Sequence, residues 1–323
     1  MYNKTVAGMM LICAVLLGAG SALAAEKDCR LKRYAEFDLA QYRTGHLLVP
    51  VAIGDTPAYM VLNMGNSYST VTEDAAKHFG LQVKPALLGT RVRAGQEDVR
   101  SLATVKGFSL AGLKFGAVEF MVISGVFLDS GNAPVIGVLG MDALATFDVE
   151  LDAANRKMGL FSQDHCAGHA VYWAKEFDSV PIRFGALGEF YFPMTLEGKK
   201  LETSFTGNLM TTLSTDATRK YYHFDEHSPD VQTEINGTSS YRAMKLSGDG
   251  IEIVNARIRL VDGPTELHCH LTSRLGAVTY EGCNVHPLNL GLDVLKQLHI
   301  YIATKEKVLY FTSSNPEGNG AGS

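Results

Sequence analysis

Val61-Leu62-Asn63-Met64-Gly65-Asn66-Ser67-Tyr68-Ser69-Thr70-Val71 is an apolar run that breaks at a glycine and resumes through small hydroxyl residues. The same pattern returns at Thr203-Ser204-Phe205-Thr206-Gly207-Asn208-Leu209-Met210-Thr211-Thr212-Leu213. Each copy follows a strand-turn-strand pattern, residues 49–53 with Gly54-Asp55 in the first and residues 192–196 with Glu197-Gly198 in the second. Each is also followed by a short helical segment. A unit repeated once within one chain implies two similar lobes.

The rest of the chain keeps this register. Residues 47–53 and 58–62 are short, apolar and rich in β-branched side chains, which predicts two strands joined by the Gly-Asp turn. Pro50 is expected at a sheet edge or strand end because it cannot donate to a ladder, and Pro193 stands at the matching place. Residues 72–80 open on a hydroxyl, continue with acids and close on Gly80, the start and stop signals of a short helix; residues 214–220 are its weaker twin. Hairpins are expected around Ala94-Gly95 and Asn236-Gly237, and each lies equally far beyond Gly65 or Gly207. Alternation over residues 113–120 and 251–258 predicts one half-buried strand in each copy. Gly140-Met141-Asp142 and Gly291-Leu292-Asp293 open two further short helices. Each leads into a last hairpin, residues 147–151 with 157–161 and 298–302 with 307–311.

These motifs resemble the retropepsin-like and pepsin-like aspartic proteases. In that family a hydrophobic strand runs into Asp-Thr/Ser-Gly, and a later strand runs into an apolar-apolar-Gly turn and a short helix. Val135-Ile136-Gly137-Val138-Leu139-Gly140-Met141-Asp142-Ala143-Leu144 and Leu288-Asn289-Leu290-Gly291-Leu292-Asp293-Val294-Leu295 look like the second feature. The resemblance implies an all-β acid-protease fold with two pseudo-symmetric β-barrel lobes and short helices. The expected lobes are residues 38–161 and 182–311, with an arm at 25–37, a linker at 162–181 and a disordered tail at 312–323. It also implies that Gly95 and Gly237 are flap tips over a cleft whose turns carry Met64, Gly65, Thr206 and Gly207 and whose floor is lined by Asn63, Phe205, Gly65 and Gly207. Laid on the motif by its glycines, Asn63 and Phe205 fall where the family carries its catalytic aspartates. Met64 replaces the family's threonine.

The chain has 323 residues, 46% hydrophobic and 20% charged, with a formal charge of -5. That is ordinary for a soluble protein with a sizeable core. The mild acidity, with no Lys/Arg-rich run, argues against nucleic acid. Residues 1–24 read as a secretory signal: Lys4, an apolar run over 6–17, then Ala22-Leu23-Ala24. The apolar run is shorter than the ~20 residues of a membrane span, so no membrane association is expected after cleavage, and the compartment is periplasmic or secreted. Cys29, Cys166, Cys269 and Cys283 remain, and four cysteines allow three pairings. Cys29 with Cys166 would staple the first lobe, and Cys269 with Cys283 would close a loop in the second.

An aspartic protease shares one proton between two carboxylates. An amide at Asn63 and a ring at Phe205 supply neither base nor acid. Asp142 and Asp293 match a helix-capping aspartate, and Asp148, Glu150 and Asp152 alternate along a strand in the manner of a solvated edge. His268-Cys269-His270 with Cys283 and His286 fits no zinc spacing well, and His223 and His227 flank Asp225-Glu226 in a loop. No cofactor or metal is expected. The function expected is a catalytically inactive, monomeric protein that binds an extended peptide or protein segment. The alternatives are an active peptidase with another acid arrangement, and an assembly protein whose cleft is closed by Phe205.

Overall fold

The computed structural model describes residues 29–86, 92–94, 97–126, 128–185, 188, 190–233, 237–248, 250–262, 270–274, 277–281 and 286–314. It is almost entirely β, with short helices at Glu73–His78, Met141–Leu144, Thr215–Ala217 and Leu292–Leu295. In the first lobe, Leu47–Ile53 turns at Gly54-Asp55 and pairs antiparallel with Thr56–Leu62. Thr56–Leu62 then runs parallel to Pro134–Leu139, which is antiparallel to Thr70–Thr72, itself parallel to Val118–Ile123. The second lobe repeats every step. Phe190–Leu196 pairs with Lys199–Phe205, that strand runs parallel to Leu288–Leu290, and Thr212–Ser214 bridges Leu288–Leu290 to Ile251–Val261. Alternation drives both hairpins, since every second side chain enters the core: Phe190–Leu196 alternates buried and half-buried along its whole length.

Pro50 and Pro193 correct the expectation of an edge. Leu47–Ile53 is an interior strand, with Ala40–Gln41 beside Leu47 and Leu48 and with Phe108–Leu110 beside 51–53. Pro50 falls between these two short partners, where no ladder bond needs its missing N–H. Pro193 falls likewise between partners at Phe190–Tyr191 and at Thr195–Leu196.

Helix caps follow the sequence closely. Thr72 accepts from the Ala75 N–H at 3.2 Å and Ser214 accepts from the Ala217 N–H at 3.2 Å. The second helix then continues as one π-turn over Thr218–Tyr222, closed by His223 at φ 58°. The strand expected over residues 113–120 is instead broken in two. Ala111 and Gly112 at positive φ turn Phe108–Leu110 back onto Leu113–Lys114, and a new strand starts at Val118.

A six-stranded sheet joins the lobes, in the order Arg33–Asp38, Lys157–Phe161, Asp148–Asp152, Leu298–Ala303, Val308–Ser313, Asp178–Pro181. The lobes meet where Val149 pairs with Ile302 and Leu151 with Ile300. One face of the sheet enters the main core through Val149, Leu151, Leu160, Ile300, Ile302 and Leu309. The N-terminal arm is therefore a sheet strand, and so is the end of the linker. Strand pairing also runs past the expected tail boundary, because Thr312 and Ser313 pair with His299 and Leu298.

Cys29 and Cys166 form the expected disulfide, closing 137 residues. Cys269 and Cys283 lie outside the described residues. In the chain-entropy account a loop of this length is worth about 5 kcal/mol, and measured losses on removing a native bond run about 2–5 kcal/mol. Cys29→Ser/Cys166→Ser is expected to lower the unfolding free energy by an amount in that range, read from a lower denaturant midpoint. An unchanged midpoint would mean that the bond adds nothing to the sheet strand beside it.

Candidate functional site

The two repeated turns meet between the lobes, and strand register decides which residues correspond. Leu62 stands opposite Leu139 in the first lobe and Phe205 opposite Leu290 in the second. One step later, the Asn63 N–H donates to the Leu139 carbonyl at 3.0 Å and the Thr206 N–H donates to the Leu290 carbonyl at 2.9 Å. Beyond the turn, the Met141 N–H donates to the Asn66 carbonyl at 2.8 Å and the Leu292 N–H donates to the Asn208 carbonyl at 2.9 Å. Register therefore matches Asn63 with Thr206 and Asn66 with Asn208. The second turn is one residue shorter, which is why alignment on its glycine assigned Phe205 to the position.

Phe205 does not line the cleft floor. It is 1% exposed, with its ring centroid 5.6 Å from Phe190 and 5.1 Å from Phe192 in the second-lobe core. Leu62, its counterpart, is also buried. A cleft closed by the Phe205 ring loses its premise.

Asn63 ties the turns together. Its Oδ1 accepts from the Gly65 N–H at 3.1 Å and, across the lobes, from the Gly207 N–H at 3.0 Å. Its Nδ2 donates to Asn66 Oδ1 at 3.2 Å. The backbones pass so closely that a Cβ on Gly65 would stand 1.9 Å from the Phe205 carbonyl oxygen, and one on Gly207 2.4 Å from that of Leu62. Both glycines are required by approach, not by φ. Met64 packs inward and is 2% exposed. Thr206 Oγ1 accepts from the Asn208 N–H at 3.3 Å.

Below each turn lies the same relay. Gly140 N–H donates to Ser69 Oγ, which donates to Asp142; Gly291 N–H donates to Thr211 Oγ1, which donates to Asp293. Asp142 also accepts from the Ser69 and Ala143 N–H groups, and Asp293 from those of Thr211 and Val294. These acids bind turn to helix rather than capping their own helices from the N-cap position, which Gly140 and Gly291 occupy without a side-chain bond. Burial pushes the Asp142 carboxyl above its ordinary value, against the pull of the Ser69 hydroxyl.

The alternating acids correct another expectation. Asp148 is 0% exposed and Glu150 and Asp152 are 9% exposed, so they form no solvated edge. They occupy the face of the six-stranded sheet opposite the main core, under the linker. Asp148 meets His165 Nε2 at 2.6 Å and accepts from the Thr304 N–H at 2.8 Å. Glu150 meets His299 Nε2 at 2.8 Å and accepts from the Tyr172 hydroxyl, while Asp152 accepts from Asn155 and Ser314. Burial pushes the Asp148 carboxyl up. The hydroxyls Ser69 and Thr211 are visible in the repeated sequence. His165 and Tyr172, in the linker, carry no sequence signal that pairs them with this strand.

Gly95 lies outside the described residues, although Ala94 pairs with Glu97 on either side of the expected tip. Gly237, at φ 79°, lies in the connection between Thr233 and Ser239, which pair as a hairpin. His268, Cys269 and Cys283 also lie outside the described residues. Among the described residues no three His, Cys, Asp or Glu side chains are grouped to hold a metal. His227 donates its N–H to Asp225, which hydrogen bonding holds below the usual carboxylate range. At the two matched turn positions the chain offers an amide and a hydroxyl, neither of which takes up a proton as a general base near neutral pH.

Residues 49–143 match the aspartyl protease family model. The crystal structure of aspartic proteinase from Irpex lacteus aligns with TM-score 0.50 at 11% identity, covering 89% of this chain and 99% of that one. Basic 7S globulin from soybean aligns with TM-score 0.46 at 8% identity, covering 90% and 98%. No curated protein sequence matches. At 11% identity the likeness to the Irpex lacteus structure is one of fold.

Two outcomes follow from this geometry. Gly65→Ala is expected to cost at least about 2–3 kcal/mol, as overpacking against backbone does, whereas Gly116, which has open space where a Cβ would go, should tolerate alanine within about 1 kcal/mol. Chemical denaturation of both variants checks the contrast. His286, its ring 4.9 Å from Tyr191, is held by burial at a pKa of about 4, down from 6.5. Below pH 6.5 the unfolded chain takes up a proton that folded His286 refuses. Its contribution is therefore intact above 6.5 and lost as pH falls toward about 4. His286→Phe should flatten stability over that window by about 3 kcal/mol relative to the parent.

Proposed function

We propose that this aspartic-protease-like chain is an exported, catalytically silent protein that holds an extended peptide or protein segment between its two lobes. The observation that carries the reading is the register at the turns. The two positions that correspond by strand pairing hold Asn63 and Thr206. The backbone N–H groups of Gly65 and Gly207 are already engaged by the Asn63 amide oxygen. Without a carboxylate from either turn there is no shared proton and no base for water, and general acid-base catalysis alone is worth roughly a hundred- to ten-thousand-fold.

Binding needs none of that chemistry. An extended segment can pair its backbone with exposed hairpins and place alternate side chains in pockets, as in strand addition generally. The hairpins around Gly95 and Gly237 are the elements proposed to do so. Export is supported by the signal-like residues 1–24 and by the Cys29–Cys166 bond, since disulfides persist in oxidising compartments. Among the described residues no helix is long and apolar enough to cross a membrane. Both lobes are present in one chain, so a monomer suffices to form the cleft.

Incubating the mature protein with a diverse peptide library from acid to neutral pH is expected to give no cleavage, with retention of a subset of extended peptides. Cleavage that peaks at acid pH and is blocked by peptide transition-state mimics would overturn the reading. A paired experiment checks the register. Asn63→Asp/Thr206→Asp should fold and gain acid-dependent cleavage, whereas Asn63→Asp/Phe205→Asp buries a carboxylate among aromatic rings and should lose about 4 kcal/mol or more.

A further inference from the structure

Where the linker crosses the six-stranded sheet, an open cavity of about 440 Å³ is lined by Arg30, Leu31, Arg33, Phe161, His169 and Tyr172. It lies away from the turns, beside the residues that carry the disulfide. Its lining divides by chemistry. Leu31, Tyr172 and the almost fully buried Phe161 give an apolar and aromatic wall, and Arg30, Arg33 and His169 give a cationic or polar rim, on which Arg33 is paired with Glu36. A volume of this size falls within the range of small-molecule sites, roughly 300–1,000 Å³, which pair mostly apolar walls with a few placed polar groups.

Arg33 is the organised member of the rim. Its guanidinium carbon stands 5.3 Å from the Phe161 ring centroid and 5.4 Å from that of Tyr172, and the two rings pack against each other at 6.1 Å, so the planar group rests against both from one side. One nitrogen donates to the Tyr172 hydroxyl at 2.8 Å and the other pairs with Glu36. The Tyr172 hydroxyl in turn donates to buried Glu150. Gly159 leaves room for the Phe161 ring and the Glu150 carboxylate, since a Cβ there would meet Phe161 Cε2 at 2.7 Å and Glu150 Oε2 at 3.0 Å. A guanidinium fixed in this way presents its remaining N–H edge at little further entropic cost, and its fork matches a carboxylate.

We propose that this cavity binds a small carboxylate with an aromatic or short-acyl body, the carboxylate on Arg33 and Arg30 and the body against Leu31, Phe161 and Tyr172. The site is independent of the inter-lobe cleft and of whether the chain cleaves peptides.

Trp173 is the only tryptophan, and its ring lies 5.4 Å from Tyr172, so its fluorescence reports on the cavity wall. The mature protein is titrated by fluorescence and calorimetry with 3-phenylpropionate, with the neutral 3-phenylpropanamide and with acetate. Only 3-phenylpropionate is expected to bind, with 3-phenylpropanamide and acetate each at least about tenfold weaker. Arg30→Gln and Arg33→Lys should each weaken 3-phenylpropionate about tenfold, the second because a lysine keeps the charge and loses the fork. Equal binding of the amide overturns the anion site and equal binding of acetate overturns the apolar wall. An absence of binding up to about 10 mM overturns the proposal altogether. The wild-type titrations decide the matter even where a variant fails to fold.

Discussion

One side-chain oxygen holds the two lobes in register. Asn63 Oδ1 accepts an N–H from its own turn and another from the opposite turn, and the glycines on either side allow the backbones to approach within the reach of a single amide. Each neutral hydrogen bond is worth about 1 kcal/mol net, which is a small part of the total. Its importance lies in geometry. The six-stranded sheet ties the lobes at one level, and the Asn63 contact ties them at the turns, so their relative placement is fixed at two separate levels.

The second turn is one residue shorter, but the strands that lead into the two turns keep the same register. That register matches Thr206 with Asn63 and sends Phe205 inward onto Phe190 and Phe192, as it sends Leu62 inward. The Gly207 N–H points at the first lobe, where an amide oxygen satisfies it. The relays beneath, Ser69 to Asp142 and Thr211 to Asp293, are unchanged by that difference because they hold the far ends of the turns. The two turns thus present an amide and a hydroxyl at matching positions, each above the same relay.

Much of this was legible in the sequence. Duplication showed in the repeated Gly-hydroxyl segments, helix caps in Thr72 and Ser214, and the disulfide in the cysteines that bracket the first lobe. What escaped had physical causes. Glycines mark close approach, so aligning Gly65 with Gly207 was reasonable, yet only strand pairing reveals the missing residue before it. The alternation of Asp148, Glu150 and Asp152 fixed a shared face correctly. Its burial depends on a linker that crosses that face and brings His165 and Tyr172 to it, partners far enough in structure that local pattern does not announce them. Pro50 and Pro193 looked like edge markers, but a proline also fits an interior strand at the gap between two short neighbours. The short strand Leu113–Lys114 is turned back onto Phe108–Leu110 by a left-handed turn at Ala111, an uncommon conformation for that residue.

The most direct test of the cross-lobe tie is amide hydrogen exchange at Gly207, followed by NMR in the parent protein and in Asn63→Ala. The account predicts a slowly exchanging Gly207 amide in the parent and exchange at least about tenfold faster in the variant, since its only acceptor among the described residues is the Asn63 amide oxygen. A Gly207 amide that exchanges equally fast in both proteins would contradict the claim that Asn63 ties the two turns together.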